Sequence, residues 1–356
     1  MKKASLLVFI LFTLLIWGCS KSSPSGDSGT VTPPVTPPVT PPVTPAGRIF
    51  AKGADIGWLS QMEASGKKFY DANGTQTDCI LLLKSLGINS IRLRVWVNPA
   101  MGYCNKADVV AMGIRVKNAG LKLMIDFHYS DTWADPGHQT KPAAWSGLAF
   151  AAMTDTLYNY TASVLDSLKV AGVVPSFVQV GNETDNGMLW PDGQANLNMA
   201  NYAALVSSGY RAVKSVSDTI KVIVHVSNGY DSVHFQWLFD GLKSNGAQWD
   251  IIGMSLYPSA SNWQSYNAQC FANMNSMVAR YNTPVMVCEV GMPEDEASTC
   301  ESFIADLIHK VRAVNGGKGL GVLYWEPESY APFLAYGLAA FDNTGKPTVA
   351  MNAFAN

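Results

Sequence analysis

The sequence predicts a (β/α)₈ barrel. Short aliphatic runs alternate with helical segments, those segments end in glycine just before the next run, and nearly every run stops at a polar or aromatic residue. Aliphatic strands alternating with helices indicate a parallel sheet covered on its outer face. Eight such units between residues 48 and 356 match the length a barrel needs. A doubly wound open sheet is the runner-up. It would want a Gly-x-Gly-x-x-Gly loop after its first strand, and the sequence has none.

Before the barrel come two segments that cannot belong to its core. Lys2 and Lys3 precede an apolar run over residues 6–17 that ends at Gly18-Cys19. A basic start and a short apolar run read as a secretory signal, too short for a membrane span. Gly18-Cys19 resembles the lipobox of bacterial lipoproteins, which implies cleavage after residue 18, lipidation of Cys19, and an exported protein anchored at the outer membrane or cell surface. Residues 19–47 read as a linker, with Val-Thr-Pro-Pro repeated three times from Val31. Proline-rich chain favours extended polyproline II and packs no core. About 15 such residues at about 3.1 Å each make a stiff spacer of roughly 45 Å.

The eight strands read at residues 49–56, 91–97, 121–127, 177–180, 222–226, 251–256, 285–290 and 320–325. Leu86-Gly87, Ala119-Gly120 and Ala171-Gly172 stand just ahead of the second, third and fourth. Glycine after the last helical turn is the expected helix terminator.

The chain is 48% hydrophobic and 15% charged, with a net charge of −2. That composition suits one sizeable core and gives no electrostatic footprint for nucleic acid. Beyond Cys19 the cysteines are Cys79, Cys104, Cys270, Cys288 and Cys300, an odd number. An exported chain can form disulfides. Cys288, inside a strand, is the expected free thiol. Cys270 with Cys300 is the first candidate pair, and Cys79 with Cys104 the weaker one. There is no Cys-x-x-Cys, His-Glu-x-x-His or Gly-x-Ser-x-Gly, and Glu294-Asp295-Glu296 reads as a solvated helix start. No metal and no cofactor are expected.

In a barrel, chemistry collects at the C-terminal strand ends. Strand four ends at Asn182-Glu183 and strand seven at Glu289. Two carboxyls roughly 5–5.5 Å apart, one acid/base and one nucleophile, are what retaining glycoside hydrolysis needs. A carboxylate capping the next helix explains either glutamate alone, but explains less well a pair at matching strand ends. The nucleophile must be ionised, so Glu289 wants a cation and a hydroxyl nearby, with Arg92 and Tyr257 as candidates. The acid must hold a proton, so Glu183 wants burial or a charged neighbour. Asn182 is placed to hold a sugar 2-hydroxyl, and Trp325 offers an apolar face to a sugar ring. His128 is placed to bond a hydroxyl or support the carboxylates. Arg94 reads equally as an interior ion-pair residue, and His225 as an interior histidine.

With these residues named, the chain resembles glycoside hydrolase family 53, the endo-β-1,4-galactanases, over residues 53–341. The matching stretches are Gly53-Ala54-Asp55, the run from Ile91 through Arg92 and Trp96 to Pro99, Asp126-Phe127-His128-Tyr129-Ser130-Asp131-Thr132-Trp133-Ala134-Asp135-Pro136, Val178-Gln179-Val180-Gly181-Asn182-Glu183, and Tyr324-Trp325-Glu326-Pro327. The strand-three stretch is the most specific. The resemblance implies Glu183 as acid/base, Glu289 as nucleophile and pectic β-1,4-galactan as substrate. Asp55, Arg92, Trp96, His128, Asp131, Trp133, Asn182, Tyr257 and Trp325 are the expected substrate-binding residues. Thr184-Asp185 and Met292 depart from the family pattern, and the segment after Glu289 is short where some bacterial members carry a longer calcium-binding loop, so calcium is not expected. A related barrel glycosidase acting on mannan or glucan is one alternative. A glycan-binding barrel without catalysis is another.

Overall fold

The structure, a computed structural model, describes residues 50–331 and 333–355. The expected signal at 1–18 and linker at 19–47, with Cys19, lie outside the described residues. Eight strands form one closed barrel: β1 (Ala51–Asp55), β2 (Ser90–Val95), β3 (Lys122–Phe127), β4 (Phe177–Val180), β5 (Lys221–Val226), β6 (Ile251–Leu256), β7 (Val285–Val290) and β8 (Gly319–Trp325). Every neighbouring pair is parallel, and β8 closes onto β1. These are the eight predicted strands, with ends shifted by two residues at most.

Helices follow the strands on the outside: α1 (Leu59–Ala64), α2 (Cys79–Ser85), α3 (Lys106–Asn118), α4 (Phe150–Val170), α5 (Met199–Val216), α6 (Ser232–Ser244), α7 (Trp263–Tyr281) and α8 (Ala297–Arg312). Several begin on a side-chain cap that satisfies an orphan backbone donor. Asp78 accepts from the Leu81 N–H, Asn105 from Asp108 and Asp231 from His234. Gly87 ends α2 with φ of 97°, and a Cβ there would meet the Phe354 carbonyl at 2.2 Å. Positive φ and close approach both require glycine at that point.

Alternation along the strands splits the core in two. Outward residues pack against the helices in one large apolar cluster. Inward residues at the N-terminal end, among them Met124, Phe177, Ile223, Met286, Cys288 and Leu323, form a second, smaller one. Each fully buried aliphatic of this kind contributes about 1.5–3 kcal/mol. Above that plug the inward positions turn polar: Asp55, Arg92, Asp126, Gln179, His225 and Ser255 are all buried.

Strand β7 breaks its alternation at one place. Its pairing with β6 steps from Met254↔Val287 to Ser255↔Glu289, and its pairing with β8 from Val322↔Val287 to Tyr324↔Val290. Cys288 is the extra residue of a bulge. A bulge re-aims the next side chain, so Cys288 joins the interior plug while Glu289 also faces the barrel axis.

The expected disulfides are not formed. All five cysteines of the described residues are free and buried. Cys270 on α7 packs inward against Gly229, while Cys300 on α8 lies 3.7 Å from the Tyr324 hydroxyl on β8. Cys270 thus faces the loop after β5 and Cys300 faces β8, so the two do not face each other. The Cys104 thiol sits 3.2 Å from the Gly57 carbonyl rather than on Cys79.

Candidate active site

The C-terminal end of β4 turns sharply. Gly181 has φ of 88° and Glu183 has φ of 41°. Positive φ in a non-glycine residue is strained and persists only when its surroundings hold it. Here they do. Gln139 donates to the carbonyls of Asn182 (2.8 Å) and Glu183 (3.2 Å), and the Thr184 N–H donates to the His225 carbonyl at 2.9 Å. Asn182 is locked from both ends, its amide donating to the Ala134 carbonyl (2.8 Å) and its oxygen accepting from Arg92 (2.9 Å).

Arg92 is the hub. Its fully buried guanidinium reaches Asp55 (2.6 Å), Asp126 (2.9 Å), Gln179 (2.7 Å), Asn182 (2.9 Å) and Glu289 (2.8 Å). The Glu289 contact is a close approach of charge rather than a well-aligned hydrogen bond. The Tyr257 hydroxyl donates to the other Glu289 oxygen at 3.0 Å.

Donor and acceptor inventory then fixes the neighbouring tautomers. The Gln179 oxygen accepts from Arg92, so its amide nitrogen is a donor, to Asp126 at 3.0 Å and to His225 Nδ1 at 2.9 Å. The Glu183 N–H points at the same Nδ1 from 3.4 Å, and burial, first of all, holds this imidazole neutral. Asn182 Oδ1, already taken by Arg92, stands 3.0 Å from Nδ1 with no proton of its own to give. The single ring proton therefore sits on Nε2 and goes to Ser255 at 2.8 Å. The Ser255 hydroxyl in turn hydrogen-bonds Glu183.

The two carboxyls at this end carry opposite electrical loads. Burial raises both. For Glu289, Arg92 and the Tyr257 hydroxyl pull back, and the carboxyl is pushed up to about 7. For Glu183 the charge of Glu289 adds to burial, and the carboxyl is held well above the usual carboxylate range. Asp126 is held low: burial acts against it, but Arg92 and His128 outweigh burial. The geometry thus offers one carboxyl that keeps a proton and one that gives its proton up first, facing a common cavity.

That cavity measures about 310 Å³, and Glu183, Glu289, Asn182, His128, Tyr257, Trp133, Trp325 and Tyr336 are on its walls. Trp133 and Trp325 lie 5.8 Å apart, centroid to centroid, and Trp58 stands against both, at 5.7 and 5.1 Å. Beneath them Arg94 lies 4.5 Å from the Trp133 ring, with Trp58 and Trp96 each at 5.3 Å. Two of its nitrogens have no hydrogen-bond partner among the described residues, and the ring faces take that side of its charge. Its Nη1 pairs with Glu326.

Not every expected binding residue reaches the cavity. Asp55 is fully buried behind Arg92. Asp131 is spent on its own loop, accepting from the Asn98 and Ala143 N–H groups at 2.9 and 2.8 Å. Trp96 stands one layer back, with its indole N–H on His128 Nδ1 at 3.2 Å. His128 touches the cavity, but its Nδ1 also accepts from the Ala134 N–H and its Nε2 meets Asp126 at 2.9 Å, so it supports the carboxylates. Sequence reasoning missed Trp58, Gln179, Ser255 and Tyr336. Gln179 had a usable signal, its inward parity with Phe177 on β4. Tyr336 had none, because a long loop returns it to the site.

A closed parallel barrel with two carboxyls of opposite protonation preference at its strand ends, under a tryptophan wall, defines a barrel glycoside hydrolase. The chain belongs to glycosyl hydrolase family 53, whose profile matches residues 51–354. It is 36% identical over 308 residues to the "Uncharacterized protein in bgaB 5′ region" of Niallia circulans, covering 78% of this chain and 83% of that one. It is 35% identical over 314 residues to the "Probable arabinogalactan endo-beta-1,4-galactanase A" of Neosartorya fischeri, covering 82% and 87%. A solved structure from a study of two fungal β-1,4-galactanases superposes with a TM-score of 0.79 at 31% identity, covering 85% of this chain and 98% of that one.

Proposed function

We propose that the chain is an exported endo-β-1,4-galactanase that cuts internal galactosyl bonds of pectic galactan with retention. The observation that carries the chemistry is the asymmetry of the carboxyl pair. Arg92 and Tyr257 touch Glu289 and favour its charge, while burial and then that charge keep the proton on Glu183. Glu289 attacks the anomeric carbon as Glu183 protonates the departing glycosidic oxygen, forming a glycosyl–enzyme ester. Glu183, now ionised, takes a proton from water, and that water attacks the same carbon and releases Glu289. Asn182 keeps one amide hydrogen free of the Ala134 carbonyl, which suits a sugar 2-hydroxyl. Trp325 and Trp133 offer apolar ring faces. The galactan assignment draws on the fungal relatives, which align over most of their own length.

Side-by-side digestion of galactan, mannan and cellulose tests the substrate. Reducing ends should appear from galactan, and galactan left intact while another glycan is cut would remove the assignment. For the mechanism, Glu289→Ala should lower turnover by about 10⁴-fold or more, and azide should partly restore it as a glycosyl azide of inverted configuration. Turnover surviving in that variant would take the nucleophile role from Glu289.

The N-terminal segments support a lipid-anchored enzyme at the outer membrane or cell surface. Cys19 carries the anchor, and the proline-rich spacer holds the barrel off the membrane.

A further inference from the structure

Glu328, two residues past Glu326 on the chain leaving β8, is fully buried, and neither of its carboxyl oxygens has a well-formed hydrogen bond from another of the described residues. Glu326 is equally buried, and its oxygens take Arg94 Nη1 and the Trp58 N–H, the latter at 3.1 and 3.2 Å. The groups facing the pair are Asp55 at the end of β1, Arg94 on β2, Cys104 ahead of α3, Cys79 on α2 and Tyr336 from the following loop. Arg94 is the one cation among them, and Glu326 already holds it.

A buried carboxylate with no donor is unstable, and such a group takes up a proton instead. The polar group that Glu328 meets is the Glu326 carboxyl. Two carboxyls in contact cannot both be ionised, but they can share one hydrogen bond. We propose that Glu328 stays protonated and donates to Glu326, acting as a positioning residue that holds the Arg94–Glu326 pair beneath the tryptophan wall. Glu326 then accepts from three sides, Arg94, Trp58 and Glu328, which opposes the burial that pushes its own carboxyl up to about 7. Through Trp58 and Arg94 the bond sets the height of Trp133 and Trp325. Burial, and then the charge of Glu326, push the Glu328 carboxyl well above the usual range, in keeping with this arrangement.

The consequence for stability has a definite sign. The folded chain keeps a proton on Glu328 that the unfolded chain releases above about pH 4.3. Stability from this group is therefore full below that pH and falls as pH rises toward the folded value.

Thermal unfolding of the full chain between pH 5 and 9 tests the proposal with wild type, Glu328→Gln and Glu328→Leu, alongside near-ultraviolet circular dichroism of the tryptophan cluster. Glutamine donates the same bond and cannot ionise. The Tm of Glu328→Gln should fall less steeply with rising pH and match or exceed wild type at pH 8, with the aromatic signal kept. Glu328→Leu should lose the signal and melt lower throughout. A Glu328→Gln variant that melts below wild type across the range would overturn the proposal. So would calcium raising the Tm of wild type but not of Glu328→Gln, because the site would then hold a cation in place of the proton. If Glu328→Leu does not fold, the wild-type and glutamine curves decide alone. None of these readings uses a substrate, so they stand apart from the galactan assignment.

Discussion

At the residue scale the site is governed by one cation. Arg92 cannot lose its charge and has only donors, so every oxygen around it is oriented by it. It favours ionised Glu289, turns the Gln179 amide, and through Gln179 leaves His225 with its proton on the side of Ser255. With Glu289 as the proposed nucleophile and Glu183 as the proposed acid, activity requires Glu289 ionised and Glu183 protonated. With Glu289 pushed up to about 7, kcat/KM should rise as pH climbs through that region and fall again where Glu183 gives up its proton. Tyr257→Phe removes the hydroxyl donor from the Glu289 carboxylate. The Glu289 carboxyl should then move further up, carrying the acidic limb to higher pH. Because a hydrogen bond to a charged group contributes about 1.5–3 kcal/mol, kcat/KM at pH 6 should drop about tenfold to hundredfold. Paired pH–rate profiles check this, and an unmoved acidic limb would deny Tyr257 that part.

At the element scale two strand ends do the positioning. Strand β4 must reverse within two residues to present Glu183, and Gly181 makes the reversal possible. A Cβ at Gly181 would meet Thr184 Cγ2 at 2.5 Å, on a backbone already at φ of 88°. Gly181→Ala should destabilise the fold by about 1–3 kcal/mol and lower kcat more than it changes KM. Urea denaturation and steady-state kinetics read the two effects, and wild-type values in both would show that the turn tolerates a side chain. Strand β7 achieves its presentation by the bulge at Cys288. Simple period-two reading puts Cys288 and Glu289 on opposite faces, and only the pairing shifts with β6 and β8 bring both inward. Strand existence was legible in the aliphatic runs because burial on both faces demands them. The bulge was not, because it depends on how two neighbours slide past β7.

At the scale of the whole molecule, the barrel separates stability from chemistry: an apolar plug fills its N-terminal half and a charged network its C-terminal half. Family 53 membership covers the barrel and leaves the N-terminal segments to their own test. Cys19→Ala should move the protein from the membrane fraction to the soluble exported fraction without changing its specific activity. Fractionation and immunoblotting measure this, and an unchanged membrane fraction would defeat the anchor. The sequence by itself determined the strand order, the two glutamates, and the Asn182 and strand-three motif that carry the family resemblance. Alternation, glycine punctuation and strand-end residues are local, and local patterns survive in a linear reading. Only the tertiary structure decided that Asp55 and Asp131 are spent within the protein, that Trp58 backs the tryptophan pair and Tyr336 lines the cavity, that the cysteines stay apart, and that Glu328 meets another carboxyl. Those outcomes depend on which groups distant in sequence are brought to one desolvated place. There the cost of an unpaired charge, rather than any local preference, selects the partners.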